Sequence, residues 1–273
     1  MDKKELAEFS VQKLKMRFSV KINPEEYYLS YSGGKDSHLL YWFIKEILHD
    51  DKIRIVGVNT RMEHHEILYR IKNNSDVVLV PRMKPFEIKE KYGIPCFTKW
   101  QDEVIRRYQG GSRAKSTLEG VTGENRIKFK LNNRAKTLLL SGKLHKISPY
   151  CCKKTKKEPL KRYEKDTGLK PITGVRGSES AQRKSGYATC LKDNGMFTPL
   201  YDFTDDMVDA IYDIYDIEEP EIYKQLDRTG CFGCPYGNHG GNTEKELDLL
   251  TVQQKNFTVE LFKESYDVLG IRY

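Results

Sequence analysis

Residues 27–37 read Tyr27-Tyr28-Leu29-Ser30-Tyr31-Ser32-Gly33-Gly34-Lys35-Asp36-Ser37. The apolar run Tyr27–Tyr31 predicts a strand, and the mostly apolar stretch His38–Leu48 predicts a helix. Between them lies a turn with two glycines, where backbone can approach a ligand closely. The next helix points its first amides, and the positive end of its dipole, at whatever occupies that turn. An anion suits this position, phosphate above all. Lys35 adds a mobile positive charge, and Ser32 and Ser37 add hydroxyl donors. Asp36 fits beside an anion only if it caps the helix or holds a metal. The G-x-x-x-x-G-K-[ST] spacing of the Walker loop is absent. The plain alternative is a tight turn with a solvated lysine. Six specified residues between a strand and a helix weigh against it.

Working outward, Ile53–Val58 predicts a second buried strand ending at Asn59-Thr60. His64-His65-Glu66 starts a helix, and Asp76–Val80 is a third strand stopped by Pro81. This alternation predicts an α/β fold, a doubly wound, mainly parallel sheet with a helical C-terminal part. Ligands of such sheets sit beyond the C-terminal strand ends. Ser32–Ser37 and Asn59-Thr60 are therefore expected at one edge, with Asn59 and Thr60 either binding base or ribose or capping the strand. His64 and His65 point about 100° apart on a helix, so a shared ion does not suit them. Residues 2–19, Lys84–Tyr92 and Trp100–Tyr108 read as helices, Gly110–Gly123 as a mobile loop, and Asn125–Leu140 as a basic helix. Residues 1–200 are expected to form the nucleotide-binding domain. Residues 201–273 are expected to form a helical region carrying Cys231 and Cys234, packed on it as one unit.

The chain has 273 residues, 38% hydrophobic and 32% charged, which excludes a disordered chain. No apolar run approaches the ~20 residues of a membrane span, so no membrane partner is expected. The N-terminus lacks a signal-type apolar core, and a cytoplasmic location is the expectation. In that compartment the six cysteines read as metal ligands, catalytic groups or core residues before disulfides. The net charge of +8 is uneven. Residues 110–146 carry nine Lys/Arg against two Glu, whereas Asp202–Asp227 carries ten acids and one lysine. The basic segment 110–165 is either a nucleic-acid surface or an ordinary solvated face.

The cysteines form a pattern. Cys151-Cys152 is followed, after 78 residues, by Cys231-Phe232-Gly233-Cys234. A C-x-x-C turn offers two thiolates to one metal centre, and the second pair completes four ligands. Zinc takes four cysteines tetrahedrally, and iron–sulfur clusters also take four thiolates. Adjacent side chains point apart, which suits a larger cluster with separate iron corners better than one zinc ion. Lys153, Lys154, Lys156 and Lys157 would offset the cluster's charge. Cys96, flanked by apolar residues, reads as a core residue, and Cys190 as a core or exposed thiol.

SGGKDS resembles the PP-loop of the N-type ATP pyrophosphatases and of the phosphoadenosine phosphosulfate (PAPS) reductase family. Ile147–Leu160 is similar to that family's CC-x-x-x-K-x-x-P-L segment, with Lys156, Pro159 and Leu160 in the matching places. Gly174–Arg183 is similar to its G-x-R-x-x-E-S-x-x-R segment. The CC and C-x-x-C pairs resemble those of iron–sulfur sulfonucleotide reductases. The resemblance implies an adenine nucleotide (ATP, adenosine phosphosulfate or PAPS) held by Ser32, Gly33, Gly34, Lys35, Asp36, Ser37, Asn59, Thr60, Gly174 and Arg176. It implies catalytic roles for Lys35, Asp36, Arg176 and Arg183, with Mg²⁺ at Asp36 if ATP binds. It also implies a [4Fe–4S] cluster at Cys151, Cys152, Cys231 and Cys234, with zinc the alternative. The implied chemistry is sulfonucleotide reduction or ATP-dependent thiolation, with an electron- or sulfur-donor protein as partner. The chain departs from the reductases in having no cysteine after Cys234. A non-catalytic nucleic-acid-binding module with a structural four-cysteine site is the alternative.

Overall fold

The computed structural model describes residues 1–123, 130–179, 189–226 and 229–273. In chain order the longer elements are α1 (Lys3–Lys21), β1 (Tyr27–Tyr31), α2 (Lys35–Trp42), β2 (Arg54–Val58), α3 (His65–Asn74) and β3 (Val77–Leu79). Then come α4 (Pro85–Tyr92), α5 (Lys99–Gln109), α6 (Lys115–Thr122), α7 (Asn133–Leu140), α8 (Glu158–Thr167), β4 (Lys170–Ile172), α9 (Asp205–Ile214), α10 (Asn242–Asp248) and α11 (Val252–Leu269). The chain divides into two compact units. Unit 1 comprises Met1–Asn59, His64–Val80 and Pro159–Arg228, and unit 2 comprises Thr60–Glu63, Pro81–Glu158 and Thr229–Tyr273. Among the described residues no helix is long and apolar enough to cross a membrane.

Unit 1 holds a four-stranded parallel sheet in the order β3-β2-β1-β4. The α/β fold expected from the sequence is therefore present. Strand β1 is central, with Leu29 beside Ile55 on one side and Ile172 on the other. Its burial explains its sequence, since Tyr27, Tyr28, Leu29 and Tyr31 are all buried. The chain runs outward from β1 through β2 to β3, then crosses to β4 on the opposite side. Between β1 and β4 the direction of the chain reverses, the place in a parallel sheet where ligands are generally bound.

Helix α1 packs on the same core through Ala7, Val11, Leu14 and Phe18. Its buried Arg17 makes two 2.8 Å hydrogen bonds to the Asp202 carboxylate. Helix α9 buries Met207, Val208, Ala210, Ile211 and Tyr212, so its apolar face belongs to this core. Residues 201–226, expected to open the C-terminal region, consequently fall in unit 1, and 229–273 fall in unit 2.

Unit 2 is helical around two smaller cores. One gathers Met62, Ile94, Phe232, Leu247, Leu261, Phe262 and Tyr266. The other gathers Cys96, Phe97, Ile105, Val121, Leu131, Ala135, Leu139 and Ile147. The expected mobile loop Gly110–Gly123 is corrected here. Its second half is helix α6, which buries Thr117 and Val121 and ends on left-handed Gly123. Only its polar composition suggested a loop. The N-terminal part of the expected basic helix, residues 125–129, lies outside the described residues, and α7 begins at Asn133 behind the capping side chain of Asn132. Cys96 is fully buried as expected, and Cys190 packs partly buried on the core of unit 1. His65 is exposed at the start of α3, whereas His64 is buried.

His38 in α2 lies with Nδ1 2.9 Å from the Tyr31 hydroxyl and stacks on Tyr41 at 5.4 Å. Burial, with the nearby charge of Arg70, pushes its pKa down to about 3. The folded chain therefore refuses a proton that the unfolded chain accepts at pH 6.5 and below. Its contribution is fully present above that pH and is lost as pH falls through the window 6.5 to 3. At pH 5 the loss should reach about 2 kcal/mol. Denaturant titrations at pH 7 and pH 5 should show a smaller acid-induced loss for His38→Asn than for the unaltered chain. Equal losses would refute this.

Candidate functional site

The first site is the β1–α2 loop of unit 1. Gly33 has φ +73°, and a Cβ there would lie 3.0 Å from the Ile67 carbonyl oxygen, so both conformation and space require glycine. The loop is stitched internally. The Ser32 and Ser37 hydroxyls are 3.0 Å apart, and Ser37 donates to the Gly34 carbonyl at 3.0 Å. Gly34 caps α2 without a side chain, leaving the first helical amides to other partners.

The loop after β4 braces this turn. A Cβ on Gly174 would lie 2.9 Å from the carbonyl carbon of Asp36 and 3.0 Å from the amide nitrogen of Ser37. Arg176, 8% exposed, places Nε 2.8 Å from the Asp36 carboxylate and Nη1 2.6 Å from Asp205. Burial draws the Arg176 pKa down, but the neighbouring carboxylates more than offset this and hold it above its usual value.

Lys35 faces groups from the acidic segment. Its Nζ is 2.9 Å from Asp209, bridges to Glu219, and lies 4.8 Å above the Tyr212 ring. Burial lowers its pKa, and hydrogen bonds to Glu219 and Asp209 outweigh that and raise it. The Lys35 amide donates to the Tyr223 hydroxyl at 3.2 Å, and the Tyr212 hydroxyl donates to the Lys35 carbonyl at 2.7 Å.

The structure thus gathers Ser32, Gly33, Gly34, Lys35, Asp36, Ser37, Gly174 and Arg176 in one place. Asn59 lies at the end of β2, its amide donating to the Leu79 carbonyl at 2.9 Å. Thr60 belongs to unit 2, where its hydroxyl bonds Glu63 at 2.5 Å and lies 3.7 Å from the Cys231 sulfur. Arg183 lies outside the described residues. Sequence reasoning missed Asp209, Tyr212, Glu219 and Tyr223. Their one signal was the acidic excess of Asp202–Asp227, opposite in sign to the lysine they surround.

The second site is the cysteine set, all of it in unit 2. Cys151 and Cys152 sit in the helical turn Tyr150–Cys152, with the Thr155 hydroxyl on the Cys151 carbonyl at 2.8 Å. The Cys231–Cys234 turn closes through the Cys234 amide on the Cys231 carbonyl at 3.2 Å. Gly233, at φ +60°, donates its amide to Glu246 at 2.7 Å. Burial raises the thiol pKa values of Cys151, Cys231 and Cys234, and each is raised further by neighbouring cysteines. The same proximity raises the Lys156 pKa, first through Cys231 and then, against the effect of burial, through Glu63 and Cys152. Four thiols and one lysine therefore share one locale, with no disulfide among them. Among the described residues no group of three His, Cys, Asp or Glu is placed to hold a metal ion. Thiolates are donors that zinc and iron–sulfur clusters both take.

No protein-family model and no curated protein matches the chain. Among the solved structures the chain is similar to are three enzymes. One is phosphoadenylyl-sulfate (PAPS) reductase from Candida auris in a phosphate complex, at 13% identity and TM-score 0.43, covering 81% of this chain and 87% of that one. Another is the U34-tRNA thiolase NcsA from Methanococcus maripaludis with its [4Fe-4S] cluster, at 13% identity and TM-score 0.41, covering 97% and 79%. The third is NH3-dependent NAD synthetase from Campylobacter jejuni subsp. jejuni NCTC 11168 in complex with the nitrate ion, at 14% identity and TM-score 0.39, covering 100% and 99%. Within this chain, the SGGKDS loop seated between β1 and α2 carries the PP-loop resemblance.

The close approach at Gly174 gives a direct test. Gly174→Ala should force the two loops apart and speed amide hydrogen exchange across residues 32–37, while calorimetry still shows a folded chain. Unchanged exchange there would show that the β4 loop does not brace the turn.

Proposed function

We propose that this chain is an enzyme that binds an adenine nucleotide at Ser32–Ser37 and a [4Fe–4S] cluster at Cys151, Cys152, Cys231 and Cys234. We further propose that its reaction is ATP-dependent sulfur transfer, with sulfonucleotide reduction the competing chemistry. The observation that carries the reading is the loop itself. A glycine turn and the N-terminus of a helix that begins at Lys35 meet where a phosphate would sit, braced by Gly174 and Arg176.

In the activation step an acceptor oxygen forms a bond to the α-phosphorus of ATP. The bond from that phosphorus to the bridging oxygen breaks, and pyrophosphate leaves with the charge. The loop amides and Lys35 stabilise that charge. Asn59, at the same sheet edge, is placed to meet base or ribose. Arg176 acts by holding Asp36, which would carry Mg²⁺, and Arg183 would stabilise charge on the leaving group. In unit 2, Cys151, Cys152, Cys231 and Cys234 would hold the cluster, with Lys156 offsetting its negative charge. When bound, the cluster supplies a sulfur-binding and electron-storing centre. An electron- or sulfur-donor protein remains part of the proposal.

A nucleic-acid acceptor is favoured by a surface of unit 2. The Tyr92 and Tyr150 rings lie 5.2 Å apart. Lys91 and Lys154 lie over Tyr92 at 5.6 and 5.3 Å, and Arg106 and Lys153 over Tyr150 at 4.8 and 4.7 Å. Cations interleaved with aromatic faces suit a strand of unstacked bases. Replacing Lys91 and Lys153 by alanine should weaken binding of a single-stranded oligoribonucleotide and lower the slope of log K against log salt by about one to two. An unchanged slope would remove this surface from the reading.

The cluster is tested by anaerobic purification with iron, sulfide and zinc analysis. About four irons and four sulfides per chain are expected, as for a [4Fe–4S] group, with loss on Cys231→Ser. One zinc and no sulfide would favour instead the non-catalytic nucleic-acid-binding module.

A further inference from the structure

Three features that an incoming phosphate would use are already answered from within unit 1. The first helical amide, that of Lys35, donates to the Tyr223 hydroxyl at 3.2 Å. The same oxygen lies 3.2 Å from where a Cβ on Gly34 would be, so it sits against the glycine turn itself. The Lys35 ammonium lies between the carboxylates of Asp209 and Glu219. Residues 216–226, which carry Glu219 and Tyr223, are tied to α3. Arg70 donates to the Glu218 carbonyl, and the Ile222 amide donates to Glu66 at 3.2 Å.

We propose that residues 216–226, together with Asp209, are an internal occupant of the anion site. The Tyr223 hydroxyl stands in for a phosphate oxygen, and the two carboxylates stand in for its charge. Nucleotide binds by displacing them. This inference rests on the nucleotide-binding reading of the loop. The balance of forces suits displacement. The hydroxyl is neutral, whereas a phosphate oxygen makes charge-assisted hydrogen bonds roughly twice as strong. Asp209 and Glu219 are 54% and 34% exposed, and ion pairs so open to water are weak. The segment covers the turn yet yields to a polyphosphate, and Asp209, Glu219 and Tyr223 become determinants of nucleotide affinity.

Calorimetric titration with magnesium ATP tests this on the full chain. Tyr223→Phe removes only the hydroxyl, and Glu219→Gln only a charge. Each should bind ATP roughly three- to tenfold tighter than the unaltered chain. In the unaltered chain, ATP should speed amide hydrogen exchange across residues 216–226, a readout that does not depend on how a variant folds. Equal or weaker ATP binding by both variants, or slower exchange in that segment, would overturn the internal occupant while leaving the nucleotide site standing. If neither the unaltered chain nor either variant binds ATP, the nucleotide reading falls and this inference with it.

Discussion

The guanidinium of Arg176 holds together the loops that follow β1 and β4, and the arrangement of unit 1 around the turn depends on it. A buried cation must be compensated where it lies. Here the compensation comes from Asp36 on α2 and Asp205 on α9, so one side chain ties the glycine turn, the β4 loop and the acidic helix together. The tie works only because β1 and β4 are adjacent in the sheet and because Gly174 lets the second loop touch the backbone of the first. Arginine suits carboxylate and phosphate by the same fork geometry. Arg176, for which the resemblance implied nucleotide binding and a catalytic role, therefore grips Asp36 in this structure.

How much was legible in the sequence follows from the range of the interactions. The strand–turn–helix order around Ser32–Ser37 is local, written in an apolar run, two glycines and a second apolar run, and it is where the structure places it. The second and third strands were legible for the same reason. The partners of Lys35 were not, because Asp209 and Tyr212 on α9, and Glu219 and Tyr223 in the segment tied to α3, reach it across more than 170 residues of chain. Composition hinted only that an acidic stretch existed. Helix α6 was hidden differently. Its residues are mostly small and polar, and it is helical because Thr117 and Val121 bury against a core assembled from other segments. The placement of Thr60 beside Cys231 was also invisible, since a strand end next to the loop edge gives no sign that the chain enters another unit one residue later.

The two candidate sites are built on different physics. The loop site is made of backbone, its glycines chosen for conformation and close approach and its charge supplied by a helix N-terminus. The cysteine site is made of side chains, yet it too depends on one glycine. At Gly233 a Cβ would fall 2.1 Å from Thr258, and the left-handed backbone there turns the chain between the two thiols. Its amide is committed to Glu246, and its carbonyl accepts from the Tyr266 hydroxyl. The turn is thus fixed by polar groups outside the cysteines. Nearby, the Asp102 carboxylate accepts from the Cys96 and Phe97 amides and from the Tyr236 hydroxyl, at 2.7, 3.0 and 2.8 Å. A turn anchored this way, at its glycine and just beyond its second cysteine, holds the two sulfurs in place without a bound group. The cost of ordering the loop is then met by folding rather than by binding, which is the physical sense in which the site is preorganised.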